Sequence, residues 1–212
     1  RRVSDPKSRD SGNTILQKTY PGGILTMCGS TEAHALASKP IRYVFGDERD
    51  RWATSAGNEG DPWDLAMARQ TTFYNSMAFE VSTPTIKGFS AIEKSYSEGT
   101  QERWCHLCPE CEEYGEIVFD RIHFDFDVRK VRGKKQYTVK KPITWACPNC
   151  GCAVPEEVMR RQPAKWIATN PDAYENSGVR SFWLNAFSSP WTPWEDIVLR
   201  FLQDREDSQR LQ

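Results

Sequence analysis

Two groups of side chains in this sequence have the types and spacing that chemistry needs. The first is Cys108-Pro109-Glu110-Cys111 with Cys147-Pro148-Asn149-Cys150, two copies of C-P-x-C. Two such knuckles bring four thiolates into a tetrahedron, the closed geometry of a structural Zn²⁺ site. Four thiolates leave no open coordination position, so the expected role is to staple the fold and not to catalyse. Gly151 suits the turn after the second pair, whereas Glu112 stands at the matching place after the first. Cys105 and Cys152 lie close enough in sequence to leave the ligand set open. The second group is Asp47-Glu48, which ends the apolar run Ile41-Arg42-Tyr43-Val44-Phe45-Gly46. A strand delivering adjacent carboxylates at its carboxyl end can hold Mg²⁺ on the Asp and polarise an attacking water with the Glu, as nucleotide hydrolysis on an open α/β sheet requires. The competing reading is a strand that ends in acids because the chain is leaving the core.

The bulk numbers narrow the class. At 212 residues the chain holds one large domain, or one domain and a small module. Its 28 basic and 29 acidic residues nearly cancel, so no global field points to nucleic acid or membrane and any basic surface must be local. No apolar run approaches the roughly 18 residues of a membrane span. Seven cysteines, six of them in two tight clusters, favour metal binding in a reducing compartment over a disulfide framework. The chain opens on Arg1-Arg2-Val3 with no Met and no signal peptide, so a piece of a longer protein is expected.

The elements that must position these groups follow from pattern. Residues 1–13 are polar and read as a frayed start. Pro21-Gly22-Gly23 marks a turn, and Ile24 to Cys28 reads as a buried strand ending at Gly29-Ser30. Ser30 or Thr31 is placed to cap a short helix through Ala37, which Pro40 stops. Asp61-Pro62 opens a helix running to about Thr72, with Asp61 as its cap. Met77, Phe79 and Val81 alternate as in a strand, which ends at Ser82-Thr83-Pro84-Thr85. Gly88 to Ser97 reads as a helix with Phe89, Ile92 and Tyr96 on one face. Strand and helix alternate from residue 24 to 97, which argues for a parallel sheet with helices on its faces. From Trp104 the pattern changes to two strand-like runs, Glu116 to Val128 and Gln136 to Trp145, between the knuckles. Arg180 to Asn185 reads as one more strand. Thr192 is placed to cap a final helix from about Trp194 to Arg205, with Ile197, Val198, Phe201 and Leu202 as its apolar stripe. The turn between the two knuckle strands carries Arg129, Lys130, Arg132, Lys134 and Lys135, a basic tip that suits either DNA phosphates or plain solvation.

Taken in order, Pro21-Gly22-Gly23, Gly29-Ser30, Ala37-Ser38-Lys39-Pro40-Ile41-Arg42-Tyr43, Asp47-Glu48-Arg49-Asp50-Arg51-Trp52, Ser82-Thr83-Pro84-Thr85, the C-P-x-C pair and Asn185-Ala186-Phe187-Ser188-Ser189-Pro190-Trp191 resemble the large subunit of lambda-type tailed-phage terminases. That resemblance covers nearly the whole chain. It implies a DNA-packaging motor with a P-loop-NTPase-like parallel sheet, helices on both faces, and an inserted zinc-ribbon-like β-hairpin module. It implies that Asp47 is the Walker B aspartate that holds Mg²⁺, that Glu48 is the catalytic glutamate, and that Ser82, Thr83 and Thr85 belong to the coupling motif. The division it implies is residues 1–103 as the back part of the ATPase core, 104–152 as the zinc-ribbon-like insertion and 153–212 as the end of the ATPase domain with a linker helix. The implied cofactors are structural Zn²⁺, with ATP and Mg²⁺ in the complete protein. The implied partners are double-stranded viral DNA, the terminase small subunit, the portal protein and further copies of itself, in the host cytoplasm and without a membrane. Two departures stand out. Gly46 precedes Asp47 where an aliphatic residue is expected, and G-x-x-x-x-G-K-[ST] occurs nowhere. The phosphate-binding loop is therefore expected upstream of Arg1 and the nuclease downstream of Gln212. A zinc-ribbon DNA-binding module, or a helicase-like or transposase-like nucleotide hydrolase, is the alternative reading.

Overall fold

A computed structural model of the protein describes residues 14–205, apart from the side chain of Lys134. The expectation of a frayed start over residues 1–13 falls outside these. The chain divides into two compact units, Arg1–Lys94 and Ser95–Gln212.

In the first unit, strand β1 (Gln17–Tyr20) and strand β2 (Gly23–Thr26) form an antiparallel hairpin. Pro21 and Gly22 close it, with Gly22 at φ +89°, the geometry that a Pro-Gly type II turn demands. This corrects the reading of residues 24 to 28 as a buried parallel strand. Ile24, Leu25 and Met27 are exposed, because the strand pairs with its immediate neighbour across the turn. Helix α1 (Ala33–Ala37) begins after Glu32, with no side-chain cap from Ser30 or Thr31.

Strand β3 (Tyr43–Asp47) is followed by helix α2 (Pro62–Met67) and strand β4 (Met77–Val81). β3 and β4 pair in parallel, with Tyr43 opposite Met77 and Asp47 opposite Val81. This is the strand–helix–strand unit that the alternation predicts. The Asp61 carboxylate accepts the amide of Trp63 at 2.7 Å, so the predicted cap forms, but the α-helix gives way to a 3₁₀ turn after Met67. The buried Gln70 amide donates to the carbonyls of Arg42 and Met77 and so pins the starts of both strands. One face of the pair packs on a small cluster of Leu36, Ala56, Ala66 and Val44. The other face carries Tyr43, Phe45, Met77, Phe79 and Val81, each 47–66 % exposed. Helix α3 (Ala91–Glu98) starts later than expected and leaves Phe89 outside it and exposed.

The second unit holds two antiparallel-dominated sheets. Strand β5 (Glu102–Leu107) pairs with strand β6 (Tyr114–Glu116), while strand β7 (Ile122–Val131) and strand β8 (Lys134–Ala146) make the long hairpin between the knuckles. Its two-residue turn is Arg132-Gly133, both at positive φ, which matches the twist of the flanking strands. Strand β9 (Ala153–Pro155) adds to β8, and helix α4 (Glu156–Met159) follows. Strand β10 (Ala164–Ala168) runs antiparallel to β5; after helix α5 (Ala173–Ser177), the two-residue strand β11 (Phe182–Trp183) runs parallel to it.

Helix α6 (Trp194–Asp204) is capped differently from the expectation: Glu156 on α4, not Thr192, accepts the amide of Trp194 at 3.0 Å. Its stripe is as read, extended by Trp194, and it packs into one core with Ile117, Trp145, Val154, Met159, Phe187, Cys108 and Cys147. Trp145 is fully buried at the centre, its indole N–H donated to the carbonyl of Glu116 at 3.2 Å. The architecture is thus mixed α/β with several small sheets and a cysteine cluster. A continuous parallel sheet with helices on both faces is not formed among the described residues. No described helix is long and apolar enough to cross a membrane.

Candidate functional site

The thiol cluster is built by the turn before β6 and the turn before β9. In each, a backbone amide four residues on returns to the carbonyl of the first cysteine: Glu112 to Cys108 at 3.0 Å and Gly151 to Cys147 at 3.0 Å. Both closing residues are left-handed, Glu112 at φ +57° and Gly151 at +74°. The first knuckle therefore forms without the glycine its conformation favours.

The sulfurs of Cys108, Cys111, Cys147 and Cys150 all lie within 4.8 Å of one another. Cys108 Sγ to Cys150 Sγ is 3.8 Å and Cys111 Sγ to Cys147 Sγ is 3.7 Å. Sulfurs about 2.3 Å from a common centre form a tetrahedron with edges of about 3.8 Å. These four therefore fit a tetrahedral thiolate ligand set. Cys152, which the sequence leaves ambiguous, sits 3.3 Å from Cys108 Sγ and 3.2 Å from Cys150 Sγ. Those distances are shorter than a tetrahedral edge and suit thiol–thiol hydrogen bonds, with the Cys150 thiol donating to Cys152.

Charge argues the same way. Burial opposes the Cys108 thiolate, but the amides of Cys111 and Glu110 and the thiols of Cys152 and Cys147 hold its pKa down to about 6. At Cys111 the amide of Glu113 favours the thiolate, yet burial and three neighbouring thiols push the pKa up to about 12. Burial and the thiols of Cys150 and Cys108 push Cys152 up as well. A cation among these sulfurs would let more of them ionise together.

The carboxylate site lies in the first unit. Asp47 and Glu48 are both exposed at the end of β3, and among the described residues none donates to the Asp47 side chain. Its hard, free oxygens suit Mg²⁺. Glu48 is left-handed at φ +54°, a conformation that costs a non-glycine residue roughly 1–2 kcal/mol and that gathers at functional sites. Its carboxylate is 3.8 Å from Arg51, an exposed and weak pair.

Gly46, which departs from the expected aliphatic residue, has a local cause. A Cβ there would lie 2.8 Å from the Trp63 ring and 3.2 Å from the Trp52 ring, two indoles packed edge to face. The 3₁₀ turn Arg49–Arg51 then carries two residues to which the sequence reading gives no role. Arg49 is buried, donates twice to Asp61 at 2.8 and 3.0 Å, approaches Glu80 at 3.4 Å, and stacks over Trp52. Asp50 accepts bonds from both the amide and the hydroxyl of Thr85 and from the amide of Ile92, and its own amide donates to Ser82 Oγ. Burial works against its ionised form, but the bonds from Ile92, Ser90 and Thr85 win and lower its pKa. The signal that would have found Asp50 is the parallel pairing of β3 and β4, which brings the residues just beyond both strand ends side by side. Ser82 and Thr85 thus stand against the acidic turn, while Thr83 contributes its carbonyl, which accepts the Ser82 hydroxyl. Arg69 donates to the carbonyl of Ala37 at 3.1 Å and ties α1 to the turn after α2.

The basic tip is exposed at Arg129, Lys130, Arg132 and Lys135. Farther down the hairpin Lys140 pairs with Asp127 at 2.8 Å and Lys141 with Glu195 at 3.3 Å.

The fold and its clusters define a mixed α/β protein with a thiol-built candidate metal centre and a carboxylate-ended parallel strand. By sequence the chain belongs to the family described as phage terminase large subunit gpA, ATPase domain, whose model matches residues 1–166. It is 25% identical over 218 residues to the terminase large subunit of Enterobacteria phage P21, covering 95% of this chain and 33% of that protein. It is 22% identical over 221 residues to the terminase large subunit of Escherichia phage lambda, again over 95% of this chain and 33% of the relative. The chain spans about a third of the length of these curated relatives. No solved structure matches it.

Proposed function

We propose that this chain supplies the Walker B and coupling half of an ATP-driven motor that packages viral DNA, on a sheet of the P-loop NTPase kind. The observation that carries the reading is the parallel register of β3 and β4, which sets the Asp47 strand end beside the strand end leading into Ser82. Membership of the terminase ATPase family supports it. In this reading Asp47 holds Mg²⁺, which neutralises charge on the nucleotide phosphates, and Glu48 orients and polarises the attacking water. Ser82, Thr83 and Thr85 sense the state of the site through their hydrogen bonds. The phosphate cradle and its lysine come from another part of the complete protein. Cys108, Cys111, Cys147 and Cys150 hold structural Zn²⁺, and Arg129, Lys130, Arg132, Lys134 and Lys135 meet DNA phosphates. The working assembly comprises several copies, with the small subunit, portal and viral DNA as partners in the host cytoplasm. In this reading DNA cutting is the work of another part of the complete protein.

Glu48→Gln in the full-length protein tests the reading. It should abolish DNA-stimulated ATP hydrolysis while nucleotide binding persists. Wild-type turnover in that variant would refute the assignment.

A further inference from the structure

One side chain joins the two strand ends of the carboxylate site. The Asp50 carboxylate accepts the Thr85 amide at 2.9 Å and the Thr85 hydroxyl at 3.1 Å with one oxygen, and the Ile92 amide at 2.8 Å with the other. Its amide donates to Ser82 Oγ at 3.1 Å. An acid that only capped α3 would need the Ile92 bond alone. Here the same residue also holds Ser82 and Thr85, two of the three hydroxyl-bearing residues that follow β4.

On its other side the turn is immobilised by Arg49, clamped to Asp61 and against Glu80. Glu48 is the left-handed link between β3 and this turn. Rotation of Glu48 out of that conformation therefore has to move the turn. Arg49 is buried on one side of the turn, and on the other the hydrogen bonds from Thr85 to Asp50 are exposed.

We propose that Asp50 is a positioning residue that relays the state of the Asp47–Glu48 site to Ser82, Thr85 and the start of α3, and so couples hydrolysis to DNA movement. This rests on the motor reading above. Asp50 touches no reacting atom; it acts through Glu48 on one side and Thr85 on the other. Replacement by Asn keeps the shape but turns one acceptor oxygen into a donor facing an amide N–H.

The test uses the full-length protein and measures ATP hydrolysed per base pair packaged. In Asp50→Asn that ratio should rise about fivefold or more. Thr85→Val removes only the hydroxyl bond and should raise it less, in the same direction. A purely structural role would lower hydrolysis and packaging together and leave the ratio unchanged, and that result overturns the proposal. If Asp50→Asn melts well below wild type, Thr85→Val and Ser82→Ala decide alone by the same ratio. Glu48→Gln is run in parallel. Turnover surviving there sinks the motor reading, whereas a dead Glu48→Gln with an unchanged Asp50→Asn ratio sinks only the relay.

Discussion

Arg180 grips Glu102 with two hydrogen bonds of 2.8 Å, one to each carboxylate oxygen. Glu102 is 4 % exposed and takes a third bond from the Thr100 hydroxyl at 2.9 Å. The Arg180 guanidinium, with help from Thr100, outweighs the burial penalty and holds this carboxyl below its ordinary value of 4.5. A carboxyl lowered in the folded state stabilises fully above its unfolded pKa and loses that contribution as pH falls through the folded one. Arg180→Ala should therefore lower the thermal midpoint at pH 7, with the difference from wild type shrinking progressively below about pH 4.5. Melting curves across pH 2–7 check this; a difference that stays constant with pH contradicts it.

Glu112 occupies a left-handed position that its counterpart Gly151 fills without penalty. Glu112→Gly should stabilise the fold by roughly 0.5–1 kcal/mol, and Gly151→Ala should destabilise it by about 1 kcal/mol. Urea unfolding of the metal-loaded protein measures both, and their signs must be opposite.

The four-sulfur tetrahedron predicts about one Zn²⁺ per chain by metal analysis. Exchange for Co²⁺ should give an intense near-ultraviolet thiolate charge-transfer band, which Cys111→Ser or Cys147→Ser weakens and Cys152→Ser retains. Because Cys108 and Cys147 belong to the main core of the second unit, a chelator should unfold that unit as it removes the ion. A metal-free protein with unchanged near-ultraviolet circular dichroism counts against the site.

Charge at the β7–β8 turn should be read out as salt dependence. Replacing Arg129, Lys130 and Arg132 together by Ala should reduce the slope of log affinity for duplex DNA against log salt by about 2–3 units, near 0.9 for each phosphate that is no longer neutralised. An unchanged slope leaves the tip as a solvated turn.

The features legible in the sequence are those written in local chemistry. C-P-x-C spacing marks the knuckles, Asp61-Pro62 marks a helix start, and the stripe of α6 marks its buried face. What stays hidden depends on partners distant in sequence or on weak patterning. Gln17 to Tyr20 has no clear alternation, so the hairpin β1–β2 is not visible and the apolar residues 24 to 28 point to a core they do not enter. Thr192 looks like a cap because it precedes Pro193, but the amide of Trp194 is taken by Glu156, a residue 38 positions earlier. Gly46 looks like a defect in a strand until Trp52 and Trp63 fill the space its side chain would need. Asp50 is visible as a letter beside the acidic pair, and its role emerges only when β3 and β4 pair in parallel.

The seating of α6 has a mechanical meaning. Trp194, Val198 and Leu202 are locked into the same core as Cys108 and Cys147, and the helix start is tied to Glu156. A pull along α6 is therefore borne by close-packed side chains, and also by the knuckles when an ion is bound there. The helix is built as a rigid strut, and its stiffness under load should track the occupancy of the thiol tetrahedron.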